Sequence, residues 1–165
     1  MKTLSITLII AATLVLSACH KKKPKEFAGV DGDFVNSTPL GERFEGSNFF
    51  SETVARGKFS PVHFGYDSYV VSPEETSKVQ SVAQSLKGSS SKVIIAGFTD
   101  ERGTQEYNRG LGERRAQAVR QSLIDSGVNA DLIQTVSFGS EMPADPASTE
   151  QAWALNRRAE FGVVK

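Results

Sequence analysis

Cysteine is almost missing from this chain. Of 165 residues only Cys19 carries a thiol, so no internal disulfide can form. Surplus charge is missing too. Nineteen basic residues balance nineteen acidic ones, which removes the electrostatic case for nucleic acid as a partner. No glycine-rich phosphate loop, no zinc-ligand spacing and no internal repeat can be found, so no cofactor or metal is expected. The longest apolar run, Leu4 to Leu16, is too short to span a bilayer comfortably. What is present is ordinary: 39% hydrophobic and 23% charged residues support one globular core, with chain to spare for extensions.

The apolar run belongs to a targeting segment. Lys2 provides the positive start, and the run ends at Leu16-Ser17-Ala18-Cys19, small residues directly before the lone cysteine. A lone cysteine is otherwise a buried thiol or a leftover, a weak reading at this position. These four residues resemble a bacterial lipobox, which implies cleavage before Cys19 and its thioether lipidation. Residues 1–18 are then a lipoprotein signal peptide. Each buried methylene contributes about 0.8 kcal/mol, so two or three acyl chains would anchor the protein stably. His20-Lys21-Lys22-Lys23 reads as a headgroup-facing start to the segment that follows. The absence of aspartate after Cys19 resembles lipoproteins sorted to the outer membrane, with the chain facing the periplasm.

Residues 19–60 read as the lipidated N-terminus and a tether. Gly, Ser, Glu, Asn and Lys dominate from Pro24 onward, without sustained periodicity. If flexible, the segment would span about 35 Å, and more than about 100 Å when stretched. Phe27, Phe34, Phe44, Phe49 and Phe50 keep an alternative open, in which Leu40 to Val54 pack on the domain or dock a partner.

Residues 61–165 read as the folded domain. Pro61 to Phe64 is a short strand. Ser72-Pro73-Glu74-Glu75 announces a helix, with serine at the N-cap and glutamate three residues later. Val79, Val82, Ala83 and Leu86 give it an apolar stripe. A strand follows over about residues 92–98, then a polar turn and a long helix ending near Ser126-Gly127. A short helical turn at Asn129–Ile133, a strand at Thr135–Phe138, a proline-containing loop, a helical turn at Glu150–Leu155 and a last strand at Ala159–Val164 complete the order. The sum is β-α-β-α-β-β, an α/β sandwich with helices on one face of a four-stranded mixed sheet. Ligands of such folds collect beyond strand ends, which groups Asp67, Asp100 and the start of the long helix.

On that helix, Tyr107, Leu111, Ala118, Val119 and Ser122 share one side, and Arg115 falls among them. An inward arginine needs a partner, because an unpaired buried charge costs several kcal/mol. Two readings stay open. Arg115 is either an internal ion-pair or snorkelling residue, or a pocket wall ready to grip a carboxylate with two parallel hydrogen bonds. Asp100 would place an acid beside it, and an acid and a base in one crevice suit a zwitterion such as an amino acid.

Thr99-Asp100-Glu101-Arg102-Gly103-Thr104, Glu106-Tyr107-Asn108, Leu111-Gly112-Glu113-Arg114-Arg115-Ala116 and Asn156-Arg157-Arg158 closely resemble the OmpA-like peptidoglycan-binding domain, from about Pro61 to Val164. The resemblance implies that Asp100 and Arg115 hold the ammonium and carboxylate of meso-diaminopimelate in the cell-wall peptide. It adds Thr99, Asn108 and Leu111 to the pocket, with Phe64, Asp67 and Arg158 in support. Asn108 has an alternative role in a turn or cap near the helix start, and Leu111 one in the core. Arg158 is expected as a scaffold ion-pair partner. Peptidoglycan and outer-membrane lipid are the implied partners, with a TolB-like propeller protein of a Tol-type system as a third.

Two departures from the family pattern bear on this site. Phe98 stands where many relatives carry histidine, and Gly65 where the first strand often has aspartate. Two other classes therefore stay in view. An interaction protein docking a TolB-like partner would need no working cell-wall site. An enzyme would need paired carboxylates, which Asp67, Asp100, Glu101 and Glu106 could supply, but no activated nucleophile accompanies them. A non-enzymatic binding protein is the expectation.

Overall fold

The computed structural model describes residues 48–165. The signal peptide, Cys19 and most of the tether lie outside the described residues.

The elements run β1 (Val54–Arg56), β2 (Val62–His63), α1 (Pro73–Leu86), β3 (Val93–Phe98), α2 (Gln105–Asp125), a 3-10 turn (Ala130–Leu132), β4 (Ile133–Gly139), α3 (Glu150–Asn156) and β5 (Arg158–Val164). From β2 onward this is the expected mixed order. The sheet runs β1-β5-β3-β4, with β3 and β4 parallel and β5 antiparallel to its neighbours. β1 is one strand more than the sequence led us to expect. It shares the outer edge of β5 with β2: Val54 pairs with Val164, and Val62 with Ala159.

Strand β3 is buried along its whole length, because its two faces feed two cores. Val93 and Ile95 join Val79, Val82, Leu86, Val119 and Leu123 beneath α1 and α2. Ile94, Ala96 and Phe98 point the other way, toward Phe49 and Val54. Residues 49–54 thus cover the sheet face that the helices leave open. For these residues, packing on the domain is what the structure displays, and the packed region starts upstream of Pro61. The reason is local: Phe49 fills the hollow over Gly162, where a Cβ would stand 3.0 Å from its ring and 2.5 Å from Val54.

At the start of α1 the capping expectation needs correction. Ser72 occupies the N-cap but its side chain makes no capping bond. Glu75 is drawn off instead, accepting from the His63 backbone N–H at 2.7 Å and from Lys78 at 2.8 Å, which ties β2 to the helix.

α2 lies closer to the sheet than side chains would allow. A Cβ on Gly97 would sit 1.8 Å from the Gly112 carbonyl oxygen, and one on Gly112 would sit 2.4 Å from the Ser137 hydroxyl. This backbone contact brings the first turns of α2 against the C-terminal end of β3.

Candidate functional site

The end of β3, the turn after it and the start of α2 enclose a cavity of about 260 Å³. Tyr66 and Asp67 from the loop after β2 close it on one side. Thr99, Asp100, Arg102 and Gly103 form the turn, and Tyr107, Asn108, Leu111 and Arg115 come from α2. The expected pocket residues Thr99, Asp100, Asn108, Leu111 and Arg115 are therefore brought together, with Asp67 beside them.

The turn is held from several directions. The Thr99 N–H donates to the Gly139 carbonyl at 2.8 Å, and its hydroxyl donates to the Asp100 carbonyl at 3.0 Å. Gly103 has φ +104°, a conformation side chains rarely adopt, and it lets the chain fold back over Asp100. Thr104 caps α2 by accepting from the Tyr107 N–H. Asn108, 1% exposed, donates from its side chain to the Arg102 carbonyl at 3.2 Å, so its turn-bracing role and its place in the wall coexist.

Arg115 is fully buried. Its Nε donates to the Ser68 carbonyl at 2.8 Å, Nη1 to the Phe98 carbonyl at 2.9 Å and Nη2 to the Gly65 carbonyl at 3.1 Å. The guanidinium also lies over the Phe64 ring at 5.2 Å. Three of its five N–H groups are spent, which leaves one on each terminal nitrogen without a partner among the described residues. Burial lowers its pKa to about 10, so it stays cationic at neutral pH. It forms no ion pair with Asp100.

Asp100, 5% exposed, is instead bound by two other arginines. Arg102 reaches Oδ2 at 2.7 Å and Arg157 reaches the same oxygen at 3.3 Å. Burial alone would raise the Asp100 pKa, but hydrogen bonds from the Arg102 side chain and backbone outweigh it and hold the carboxyl below 3.8. It has no proton to give, so recognition suits it better than acid catalysis. Asp67, at φ 49°, accepts a hydrogen bond from the Tyr107 hydroxyl. That bond raises the pKa of the tyrosine, and Tyr107 is half-exposed rather than on the buried side of α2.

Arg157, Arg102 and Glu150 are the members that sequence reasoning missed. Arg157 donates to the Phe64 carbonyl at 3.0 Å and to Glu150 at 2.9 Å as well as to Asp100. No local signal separates it from its neighbour Arg158. That residue, expected as a scaffold ion-pair partner, pairs with Glu160 at 2.6 Å and lies 3.9 Å from the centre of the Phe98 ring. It braces the sheet and does not line the cavity. Phe64 packs in the core beneath the site, touching it through its ring and carbonyl.

The two departures have different consequences. Phe98 is 1% exposed in the second core, stacked on Phe138, and does not line the cavity. Gly65 contributes its carbonyl to Arg115 and has no side chain to add a further acid to Asp67 and Asp100.

Comparisons with known proteins bear on the family and the fold. The profile of the OmpA family matches residues 63–157. A peptidoglycan-associated lipoprotein of Pseudomonas aeruginosa is 44% identical over 111 residues, which are 67% of this chain and 66% of that protein. One from Pasteurella multocida is 37% identical over 161 residues, 96% of this chain and 97% of its own length. The crystal structure of the peptidoglycan-associated lipoprotein from Burkholderia pseudomallei superposes with a TM-score of 0.61 at 42% identity, covering 62% of this chain and 88% of that one. The C-terminal domain of Helicobacter pylori MotB, 23% identical with a TM-score of 0.60, shares the fold; the match covers 64% of this chain and 84% of that one. The chain belongs to the OmpA family, among its peptidoglycan-associated lipoproteins.

Proposed function

We propose that the chain holds peptidoglycan noncovalently by capturing the diaminopimelate of its stem peptides in this cavity. Acyl chains on Cys19 would tie the other end to the outer membrane, making the protein a linker between membrane and cell wall, as part of a Tol-Pal system. The observation that carries the reading is the charge pattern of the cavity: Asp67 and Asp100 against Arg102 and Arg115, two of each sign in one crevice. A balanced lining of this kind suits a zwitterion and repels neither of its ends.

In this mechanism Asp100 takes the ammonium, and Arg115 offers its remaining N–H on each terminal nitrogen to the carboxylate. Leu111 supports the aliphatic stem between them, while Thr99 and Asn108 keep the turn in shape. No bond is made or broken. A single contact is weak, but many chains acting along one polymer add by multivalency.

The test is cosedimentation of the detergent-solubilised full chain with purified sacculi, for wild type, Asp100→Ala and Arg115→Lys. Circular dichroism checks that each is folded. Pelleting of the wild type with both folded variants left soluble supports the cavity as the site. A wild type that stays soluble while retaining a TolB-like partner would favour the docking alternative.

A further inference from the structure

The carboxylate that the proposed function assigns to the ligand's ammonium is already full. Asp100 Oδ1 accepts from the backbone N–H of Arg102 at 3.1 Å and from its Nε at 3.2 Å. Oδ2 accepts from Arg102 Nη2 at 2.7 Å and from Arg157 Nη1 at 3.3 Å. A carboxylate offers about four acceptor positions, and these four N–H groups take them all. A cation from outside can bind Asp100 only if one of them leaves.

The two arginines differ in their freedom to do so. The Arg157 side chain is 9% exposed and is held at its other end by the Phe64 carbonyl and Glu150. The Arg102 side chain is 29% exposed, stands in the turn that forms the cavity rim, and has a second acid within reach. Its Nη1 lies 3.6 Å from Glu150 Oε2, and that glutamate side chain is 61% exposed. The guanidinium can therefore swing from one carboxylate to the other and remain paired throughout. It sits between two rings, 4.1 Å from the centres of both Tyr66 and Trp153. Tyr66 is 64% exposed, so one jaw of this clamp is a surface side chain with room to open.

We propose that Arg102 is an internal cation that occupies the ammonium position of the site and swings toward Glu150 when a ligand binds. This rests on the reading of the cavity as a site for the zwitterionic end of diaminopimelate. Binding is then an exchange of one cation for another at Asp100. Arg102 sets the affinity by competing, and it admits only a ligand whose ammonium arrives together with a carboxylate for Arg115. A lone cation would lack that second contact and would have to displace Arg102 without compensation.

Trp153, the chain's single tryptophan, stacks on the moving group and reports its position. The experiment titrates the full chain in detergent with a muramyl tripeptide carrying meso-diaminopimelate, following both heat and tryptophan emission. Wild type, Arg102→Gln and Arg102→Lys are compared. Removing the competitor should tighten binding by about 1.5- to fivefold in Arg102→Gln, the range of a part-exposed ion pair. Lysine lacks the planar fork and should fall between the two. Ligand should change Trp153 emission in the wild type, and far less in Arg102→Gln, which has no stacked cation to displace. Binding seen only in Arg102→Gln would support the proposal in its strongest form. Equal or weaker binding by Arg102→Gln, or an unchanged emission response, overturns the role of Arg102 while leaving the cavity reading intact. Failure of all three chains to bind overturns the cavity reading, and this inference with it.

Discussion

Gly97 of β3 and Gly112 of α2 meet backbone to backbone, so closely that a methyl group on either would overlap its neighbour. Their contact sets the depth of α2 against the sheet and hence the position of Arg115 three residues further on. Gly112→Ala removes a helix-weakening glycine, which by propensity alone would stabilise α2 by about 1 kcal/mol. The clash with Ser137 and Gly97 opposes this, and overpacking of a tight contact typically costs about 1–3 kcal/mol. A lower melting temperature and weaker sacculus binding are expected together. A variant melting above the wild type would show that the helix has room to move.

Acid should loosen the turn that carries Asp100. Its carboxyl titrates below the ordinary value of 3.8 in the folded chain, so the unfolded chain binds its proton first as pH falls. A depressed carboxyl contributes stability that is present above 3.8 and is lost as pH drops through the folded value. Urea midpoints measured from pH 6 down to pH 2.5 should fall most steeply below about pH 4. Asp100→Asn should flatten that part of the curve.

Arg157 and Arg158 are neighbours with separate tasks. Arg157→Ala leaves the Phe64 carbonyl unpartnered and removes one of the two cations on Asp100. Breaking a buried pair typically costs about 3–5 kcal/mol. Because Arg102 remains, the lower end is expected, with a change in ligand affinity. Arg158→Ala removes the contact with the Phe98 ring and the Glu160 pair, and should lower the melting temperature while leaving affinity near that of the wild type. Calorimetry on both variants separates the two roles.

The second core gives the segment before Pro61 a structural task. Phe49, 2% exposed, seals the sheet face carried by Ile94, Ala96 and Phe98. Phe49→Ala should destabilise the domain by about 3–5 kcal/mol. A chain shortened to residues 61–165 should unfold earlier in urea or aggregate, because that apolar face is bared. An unchanged urea midpoint in both would mean that the strap adds nothing to the domain.

How much of this was legible in the sequence depended on how local the signal was. The run Val93–Ala96, the turn after it and the spacing of Leu111, Arg115 and Val119 are short-range patterns, and they located the strand, the turn and the inward arginine. The same strand carried a signal that went unread. Its period-two alternation sends Ile94, Ala96 and Phe98 to the face opposite the helices, so a second apolar layer had to cover them. Phe49 and Val54 supply it from a stretch with no periodicity, and a three-residue strand leaves almost no pattern. The engagement of Asp100 by Arg102 and Arg157 was out of reach for another reason. One contact depends on the path of the six-residue turn between β3 and α2, and the other joins positions 57 apart in the chain.

Competition against the polymer shows whether the cavity reads the diaminopimelate carboxylate. The full chain is bound to purified sacculi and challenged with free muramyl tripeptides that carry either meso-diaminopimelate or lysine in the third position. The two differ by the side-chain carboxylate that Arg115 is proposed to grip, and no variant has to fold. The diaminopimelate tripeptide should release the chain into solution and the lysine tripeptide should not. Equal release by both, or by neither, would contradict a cavity built for a zwitterion.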